Sequence, residues 1–462
     1  MHSNTPMNVT EALDGATVTR FTLVVLALSV VIIFADGFDI NNIAYVGPAL
    51  IAAWGISDQS ALGPIFGASL FGILFGAPIL GWLGDRYGRK KAIVASGLIF
   101  SIFTWAAVFT HSLAELFAVR VICGIGIGGL LPNVIALNAE FAPRRLRATL
   151  VILMFSGIGL GSAVPGPVAA WLVPQHGWPV MFTIGGILGL AATAACALGL
   201  PESVKYHVVR RHSGERIAAL LRRVRPDLAI EADAGFVLSD EKASSGLASR
   251  RLFDDGRTPL TLLLWVMFVS ALMGYFFLIS WTPTLLAAAH IPVAKAALFT
   301  SVFQVGGLIG GWAICRPMDR RGMTPVALMF AIAIPVVAAI GYVATTSELL
   351  LGIVLFVAGF CVLGGQYAIN AVSGMIYPTA FRSHGSGTAF AVGRVGSISG
   401  PVIGGALIGM HLPVETLYLC AAIPFLVCAP ACLAFARLYD RRFRAGAADR
   451  REVAFSPQSD AA

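Results

Sequence analysis

Apolar residues along the chain fall into twelve long segments that short polar stretches separate. The segments lie near residues 20–46, 60–82, 92–110, 115–138, 149–172, 178–199, 259–287, 296–315, 325–344, 349–376, 386–409 and 414–436. A helix needs about 20 residues to cross a hydrocarbon core of ~30 Å, and each segment has about that length. The pattern therefore predicts an all-α membrane protein with twelve transmembrane helices.

The longest polar stretch, residues 201–257, divides the segments into two sets of six. It is rich in arginine, serine, alanine and aspartate, and it predicts a surface linker with one helix around Gly214–Val224. The predicted domains are a tail at 1–19, a six-helix bundle at 20–200, the linker at 201–257, a second six-helix bundle at 258–437 and a tail at 438–462.

Composition agrees with a membrane protein and charge predicts its orientation. The chain is 57% hydrophobic and 12% charged, whereas soluble proteins carry roughly 25% charged residues. If the N-terminus lies inside, 29 of the 32 Lys and Arg lie in cytoplasmic segments and only Lys295 lies outside. This distribution follows the positive-inside rule and predicts an inner-membrane protein with both termini in the cytoplasm. The net charge of +8 thus reflects topology and contact with anionic lipid rather than nucleic-acid binding.

The sequence contains no pattern that predicts catalysis or metal binding. All seven cysteines lie within or at the ends of apolar segments and lack the paired spacing of a disulfide framework or a zinc site. HExxH, GxSxG and P-loop motifs are absent from the sequence. We therefore expect no catalytic residue, no metal and no cofactor, and the chain is not predicted to be an enzyme.

An internal repeat relates the two sets of segments. Gly81–Gly88 reads GWLGDRYG and Cys315–Gly322 reads CRPMDRRG, so Asp-Arg-x-Gly recurs 234 residues later. Pro-x-x-x-Arg begins at Pro143 and again at Pro378, an offset of 235. The agreement predicts two pseudo-symmetric halves related by an axis along the membrane normal. In such transporters the substrate site lies near midplane between the halves.

Two acids lie inside the first apolar segment. In FADGFDINN, Asp36 and Asp39 follow fourteen uncharged residues, 21–34, and they share one helix face. An ionisable residue in a span costs several kcal/mol and faces the bundle interior. A rise of about 1.5 Å per residue places Asp36 level with Arg120. We predict that the two acids couple transport to protons. The alternatives are a fixed Asp–Arg pair that only holds the bundle together and, for Asp39, a place in an outer vestibule.

A third intramembrane charge, Arg394, lies near midplane in a glycine-rich segment. Its guanidinium could hold a carboxylate through two parallel hydrogen bonds; the alternatives are a salt bridge to Asp36 or solvation by Gln366 and Asn370. An apolar cavity with a few placed polar groups suits an aromatic acid. The other predicted substrate-binding residues are Arg120, Asn42, Tyr275, Trp281, Gln304, Gln366, Tyr367 and Asn370. Each of these, taken alone, is more often an ordinary packing residue.

The loop after the second segment predicts a cytoplasmic gate. Gly88 permits a tight turn, and Asp85 can cap a helix N-terminus or pair with an arginine of the cluster Glu140, Arg144 and Arg147. The alternative is that these loop charges only meet solvent. The predicted gate consists of Gly81, Asp85, Arg86, Gly88, Arg89, Glu140, Arg144, Arg147, Asp319 and Arg382.

Several of these motifs resemble those of a known family. GWLGDRYGRKK is similar to the loop signature of the major facilitator superfamily. DGFD, Arg120 before GIGIGG, PES at 201–203, SWTP at 280–283, YPTAFR and GRVGSISGP resemble the aromatic acid:proton symporter family within it. The similarity covers essentially the whole chain. It implies the major facilitator fold and a monomer that imports a hydroxybenzoate-like aromatic carboxylate together with protons by alternating access.

Two features depart from a simple assignment to this family. PES and the spacing of Glu140 and Arg147 also occur in sugar porters, so a sugar, polyol or other organic-anion porter is the main alternative. A membrane receptor that transports nothing is a more distant one. The second copy of the loop motif has Cys315 where the first has Gly81, which predicts a weaker gate in the second half.

Overall fold

The computed structural model describes residues 7–228, 235–238, 252–253, 257–373, 376–377, 382–439 and 441, and nearly all of them are helical. Within this part of the chain, twelve helical spans are long and apolar enough to cross a membrane. The spans are Arg20–Trp54, Gln59–Tyr87, Arg89–Phe109, Leu113–Phe141, Thr149–His176, Pro179–Gly199, Thr258–Ala288, Val293–Arg321, Thr324–Val343, Glu348–Ser373, Gly385–Gly409 and Val414–Tyr439. The predicted number and order of transmembrane helices are confirmed.

The described residues of the first half of the chain form ten helices, and the last two of these helices belong to the linker. They are α1 (Val9–Asp14), α2 (Arg20–Trp54), α3 (Leu62–Tyr87), α4 (Arg89–Ala106), α5 (Leu113–Phe141), α6 (Arg147–Ala163), α7 (Pro165–His176), α8 (Pro179–Gly199), α9 (Val204–Val209) and α10 (Gly214–Val224). Short 3-10 turns occupy Gln59–Ala61 and Ala107–Phe109. The fifth span divides into α6 and α7 at Pro165, which has no N–H for the helical hydrogen bond.

The second half of the chain contributes six described helices. They are α11 (Thr258–Ala288), α12 (Val293–Arg321), α13 (Thr324–Val343), α14 (Glu348–Ser373), α15 (Arg382–Gly409) and α16 (Val414–Tyr439). Two short strands, β1 (Met7–Asn8) and β2 (Phe236–Val237), pair in parallel and join the N-terminal segment to the linker.

The chain divides into two compact units that do not follow its two halves. The first takes its residues from Met1–Ala243, Ile279–Gln304 and Pro401–Leu412. The second takes its residues from Ser244–Leu278, Val305–Gly400 and Pro413–Ala462. Three helices of the second half, α11, α12 and α15, therefore contribute one portion to each unit. The division into a 20–200 bundle and a 258–437 bundle stays a prediction.

Close packing of α3 against α5 positions the centre of the first unit. A side chain at Gly72 would overlap the carbonyl oxygen of Val121, and one at Gly124 would overlap that of Ser69. Small residues of this kind let helix backbones approach closely in a membrane. The Ser69 hydroxyl donates to the carbonyl of Arg120 at 3.2 Å, so this contact also fixes the backbone that carries Arg120.

One end of the first unit is formed by α1, the Gly88 turn, Glu140, α9 and α10, and is called the linker end below. The predicted linker helix at Gly214–Val224 is present as α10. Its Ile217, Ala218, Leu221 and Val224 are buried at helical spacing, so α10 is an amphipathic helix with a covered apolar face.

Candidate functional site

A buried ion pair lies at the centre of the first unit. The Arg120 guanidinium donates from Nη1 to both carboxylate oxygens of Asp39 at 3.0 Å, and from Nη2 to the Asp39 carbonyl at 3.2 Å. Both side chains are 0% exposed. The guanidinium carbon lies 5.7 Å from the centre of the Phe182 ring, a cation–π distance. The two charges therefore balance each other without water.

Two further donors complete the surroundings of the Asp39 carboxylate. The Thr104 hydroxyl donates to Oδ1 at 2.6 Å, and the Cys123 thiol donates to Oδ2 at 3.3 Å. Thr104 comes from α4 and Cys123 from α5, one turn after Arg120. A carboxylate that accepts several hydrogen bonds is stabilised in its ionised form. Helices α2, α4 and α5 thus meet at one charged side chain.

The ion pair corrects one expectation from the sequence. Arg120 pairs with Asp39 and not with Asp36, which counting along ideal helices had placed level with it. Asp36 and Asp39 lie about one helical turn apart along α2. The long arginine side chain can span one turn, so the level of a residue does not decide which acid pairs with Arg120. Asp36 is also 0% exposed and lies one turn earlier on α2.

The remaining predicted substrate residues of the first unit are buried. Asn42 donates from Nδ2 to the Met181 carbonyl at 3.0 Å, and Gln304 is 1% exposed. Trp281 is 0% exposed, donates from its indole N–H to the Pro401 carbonyl at 2.9 Å and packs against Phe66 with ring centres 4.9 Å apart. These contacts favour ordinary packing for Trp281.

The other predicted substrate residues lie in the second unit. Gln366 donates from Nε2 to Asn370 Oδ1 at 3.0 Å along one face of α14. The Tyr275 ring packs edge-on against Phe276, and the Tyr367 ring covers Gly311. Arg394 is half-buried on α15. The structure thus brings Gln366 and Asn370 together, while Arg394, Tyr275 and Tyr367 keep their assignment as predictions.

A second ion pair lies at the linker end. Arg89 at the start of α4 donates from Nη1 to Glu140 Oε2 at 2.9 Å and to the Ala136 carbonyl at 3.1 Å. The Glu140 carboxylate also accepts from the Ser203 hydroxyl at 2.7 Å and from the Lys205 backbone N–H at 2.9 Å. The side chain of Glu140 is 1% exposed and that of Arg89 is 24% exposed. This pair joins α4, α5 and α9.

The N-terminus of α4 is capped by Glu202 of the PES motif and not by Asp85. Glu202 Oε1 accepts from the Lys90 backbone N–H at 3.0 Å, where the helix dipole favours a negative charge. Gly88 has φ 113°, and a side chain there would overlap the Glu202 carboxylate. Glycine is therefore required at the turn for its backbone angle and for its size.

In this structure Asp85 does not contact the predicted partner cluster of Glu140, Arg144 and Arg147, and their pairing when the inside is closed stays a prediction. Arg147 donates from Nη2 to Asp14 Oδ1 at 2.5 Å, and the Arg144 backbone N–H donates to the Asp14 carbonyl at 3.2 Å. Asp85 is exposed. The N-terminal segment forms α1 at the linker end, and its last residue, Asp14, is the acid that contacts Arg144 and Arg147.

Among the other predicted gate residues, Asp85, Arg86 and Asp319 are exposed and Gly81 is half-buried. Arg86 stacks on the Trp82 ring at 5.3 Å, and with Asp85 and Arg210 these residues line a pocket of about 340 Å³. Neither Asp85 nor Asp319 has a hydrogen bond or ion pair with any residue in the described ranges. Gly81 lies on α3 next to Pro132. The side chain of Arg382 lies outside the described residues.

A histidine pair lies beside Glu140 in the linker. His207 and His212 have their Nδ1 atoms 3.3 Å apart, within hydrogen-bond distance. Partial burial lowers the pKa of His207, the positive charges of His212 and Arg216 lower it further, and Glu202 and Glu140 act in the opposite direction. The neutral form of His207 is thus favoured in the folded protein.

Sequence reasoning missed several partners of the charged residues at the centre and at the linker end. Glu202 and Ser203 were present in the PES motif, whose role was not assigned. Asp14 had no local signal, because its partner Arg147 lies 133 residues away. Thr104 and Cys123 are single polar residues in apolar segments, and nothing in their sequence context distinguishes them from packing residues.

Comparisons with known proteins agree with this architecture. The profile of the Major Facilitator Superfamily matches residues 29–372. A gallate transporter of Pseudomonas putida is 33% identical over 430 residues, which cover 93% of this chain and 95% of the relative. The 4-hydroxybenzoate transporter PcaK of Pseudomonas aeruginosa is 33% identical over 400 residues and the match covers 87% of this chain and 89% of the relative.

Solved structures give the same fold. The xylose transporter XylE from E. coli superposes with a TM-score of 0.68 at 16% sequence identity, over 92% of this chain and 98% of XylE. At that identity the likeness concerns the fold alone. The family match and the relatives decide the assignment, and the family predicted from the sequence motifs is confirmed. The chain therefore belongs to the major facilitator superfamily and is a membrane transporter, not an enzyme, in the family of the gallate and 4-hydroxybenzoate transporters.

Proposed function

We propose that the protein is a proton-coupled symporter that imports an aromatic carboxylate by alternating access. The observation that carries the coupling is the ion pair of Asp39 and Arg120, whose side chains are both 0% exposed. The substrate class is supported by the relatives, since gallate and 4-hydroxybenzoate are both aromatic carboxylates. The basic residues support an orientation with both termini in the cytoplasm, since 29 of the 32 lie on that side.

Charge balance in the membrane interior connects the proton to the anion. A proton on Asp39 neutralises the carboxylate and leaves the Arg120 cation uncompensated. An unpaired buried charge is strongly unfavourable. A substrate carboxylate that enters the membrane interior lowers this cost, so the proton and the anion each favour binding of the other. By linkage this preference is reciprocal, which is the thermodynamic requirement for symport.

Arg394 is the residue we assign to the substrate carboxylate itself. It is a half-buried arginine on the membrane-spanning helix α15. A guanidinium binds a carboxylate through two parallel hydrogen bonds, and a lysine ammonium cannot reproduce this planar arrangement. Gln366 and Asn370, which contact each other in the same unit, are the polar groups we assign to ring hydroxyls of the substrate.

Uptake into proteoliposomes with an imposed pH gradient tests the proposal. Labelled 4-hydroxybenzoate and gallate should accumulate when the outside is acidic, and an ionophore that collapses the gradient should abolish accumulation. Benzamide, which is uncharged, should compete poorly against benzoate. Accumulation of a labelled hexose in place of the aromatic acids would instead support the sugar-porter alternative. Uptake of the aromatic acids that is the same with and without the pH gradient would refute proton coupling.

The role of Arg394 has a separate test. Arg394→Lys should weaken inhibition of uptake by benzoate by about tenfold or more, since a charged hydrogen-bond partner contributes about 1.5–3 kcal/mol. Arg437→Lys, at an exposed arginine in the last turn of α16, is the matched control and should behave as the wild type. Equal inhibition of the Arg394 variant and the control would remove Arg394 from the substrate site.

A further inference from the structure

Thr104 uses its hydroxyl differently from several other buried hydroxyls of the bundle. In a helix, a serine or threonine without another partner commonly donates to the carbonyl four residues earlier. Several buried residues here do so, namely Ser29 to Val25, Ser101 to Gly97, Thr193 to Gly189, Ser270 to Val266 and Thr300 to Ala296. The Thr104 hydroxyl instead donates to the Asp39 carboxylate of a different helix, 65 residues away, at 2.6 Å.

Packing holds Thr104 in this orientation. The side chain is 0% exposed. A Cβ placed on Gly185 of α8 would lie 3.2 Å from the Thr104 methyl carbon, so a glycine opposite leaves room for that methyl group. With the methyl directed to α8, the hydroxyl is directed to α2. The β-branched threonine side chain has few χ1 rotamers. The rotamer that directs the methyl group to α8 lets the hydroxyl donate to Asp39.

Cys123 contacts the other oxygen of the same carboxylate. Its sulfur lies 3.3 Å from Asp39 Oδ2 and 3.3 Å from the Thr104 oxygen, and it is 0% exposed. A thiol is a weak donor. Thr104 and Cys123 thus each donate to one oxygen of the Asp39 carboxylate and lie in contact with each other. Arg120 donates to both carboxylate oxygens.

We propose that Thr104, assisted by Cys123, is a positioning residue that sets the pH at which Asp39 takes up the coupled proton. The inference rests on the proposed function, because it assigns a part in proton coupling to residues that contact the coupling acid directly. It concerns neither the substrate contacts nor the family signature motifs.

The chemistry of a hydroxyl suits this role. Towards the ionised carboxylate Thr104 acts as a donor. Towards the protonated acid the same oxygen accepts, because a hydroxyl has one proton and two lone pairs. Thr104 can therefore keep contact with Asp39 in both states, while Arg120 loses its charged partner when the proton arrives. Removing the hydroxyl destabilises mainly the ionised state, in which its bond is charge-assisted.

The test compares Thr104→Val, which removes the hydroxyl and keeps the shape, with Thr104→Ser, which keeps the hydroxyl. Labelled 4-hydroxybenzoate uptake is measured in proteoliposomes as a function of external pH. Thr104→Val should move the half-maximal pH of uptake upward by about one pH unit, the size expected for loss of one charge-assisted bond. Thr104→Ser should stay near the wild type, and Cys123→Ala should shift in the same direction by less.

Thr193→Val is the matched control, because Thr193 is equally buried and its hydroxyl donates to the Gly189 carbonyl of its own helix. It should leave the half-maximal pH unchanged. A Thr104→Val variant with a lowered maximal rate and an unmoved half-maximal pH would show a structural role only and overturn the proposal.

A readout without transport separates this proposal from the proposed function. Infrared difference spectra of the full-length protein across a pH titration contain the band of a protonated carboxyl, and the Asp39 component is the part lost in Asp39→Asn. Thr104→Val should move the midpoint of that component upward even if no aromatic acid is transported. An unmoved midpoint would refute the positioning role. If the wild-type protein accumulates no aromatic acid but Thr104→Val still moves the midpoint of the Asp39 component, only the proposed symporter function is refuted.

Discussion

Two of the ion pairs in the first unit, Asp39–Arg120 and Arg89–Glu140, differ in their access to solvent. In the Asp39–Arg120 pair both side chains are 0% exposed. In the Arg89–Glu140 pair the carboxylate is 1% exposed but the guanidinium is 24% exposed. Water can compensate the Arg89 charge, whereas a change at Asp39 requires another charge to enter. The central pair is therefore suited to coupling and the pair at the linker end to fastening loops.

The two copies of the loop motif extend this contrast. Both helices end at a glycine with positive φ, 113° at Gly88 and 63° at Gly322. After Gly88 the chain continues with Arg89, which reaches Glu140; after Gly322 it continues with Met323, which is 5% exposed. The repeat thus keeps the turn in both halves, and within the described residues the ion pair follows only the first copy.

The largest effect is expected from breaking the central pair. Asp39→Asn and Arg120→Gln each leave a buried charge without its partner, which costs about 3–5 kcal/mol. The double variant removes both charges of this pair and should be destabilised by less than the sum of the single variants. Thermal unfolding of the four proteins in detergent measures this difference. Additive effects would mean that Asp39 and Arg120 do not depend on each other.

Charge balance in the membrane interior also predicts how substrate changes the stability of the two variants. In Asp39→Asn the Arg120 cation lacks its carboxylate, so 4-hydroxybenzoate should raise the unfolding temperature more than in the wild type. In Arg120→Gln it should raise the temperature less. The reverse order would contradict a role for the substrate anion in compensating Arg120.

A smaller effect is expected at the linker end. Glu140→Gln removes the charge that Arg89 contacts and replaces one acceptor oxygen by an NH₂ group, which cannot accept from Ser203 or Lys205. Uptake should slow several-fold while the affinity for 4-hydroxybenzoate is kept, and stability should fall by about 1–3 kcal/mol. Glu215→Gln, an exposed acid of α10, is the control. A loss of affinity equal to the loss of rate would place Glu140 in the substrate site.

The two loops can be compared directly at their aspartates. Asp85 and Asp319 are both exposed and occupy equivalent positions of the repeat. The predicted gate role of Asp85 implies that Asp85→Asn slows uptake without loss of folded protein, since this exposed side chain is not part of the core. Asp319→Asn should slow it less, since its loop carries Cys315 and Met323. Initial rates of uptake into proteoliposomes test this order. Equal rates for the two variants would show that the two loops contribute equally to transport.

The smallest effect concerns pH. The pKa of His207 is lowered in the folded protein from its ordinary 6.5. The unfolded chain therefore binds a proton more readily, and stability contributed at this position is lost as pH falls through the folded pKa. His207→Asn should make the unfolding temperature less sensitive to pH on the acid side of 6.5. An unchanged pH dependence would remove His207 from the acid sensitivity of the linker.

The sequence predicted the fold because the membrane restricts it strongly. A backbone in hydrocarbon must satisfy its own hydrogen bonds, so every long apolar segment becomes a helix. The bounds of α10 were also predicted, since its apolar residues repeat at helical spacing. The division into units was not predicted, because it depends on how portions of α11, α12 and α15 pack.

The site was predicted in part. The charges Asp39, Arg120, Arg89 and Glu140 stand out in or beside apolar segments, but their pairing does not. Pairing depends on the reach and direction of the side chains, which residue counting omits, and Arg120 pairs with Asp39 rather than with Asp36. Partners such as Asp14 and Glu202 come from distant segments, and only the folded chain brings them to the linker end.

The ratio of gradient-driven uptake to counterflow exchange in Asp39→Asn tests the central claim most directly. The variant keeps the size of the side chain and resembles the protonated, loaded carrier, so exchange should survive better than accumulation. We predict that the ratio, measured with labelled 4-hydroxybenzoate and normalised to folded protein, falls at least about tenfold. Asp36→Asn, measured alongside, shows whether the second acid shares the proton. An unchanged ratio in both variants would contradict the account, because the buried pair would then only hold the helices together.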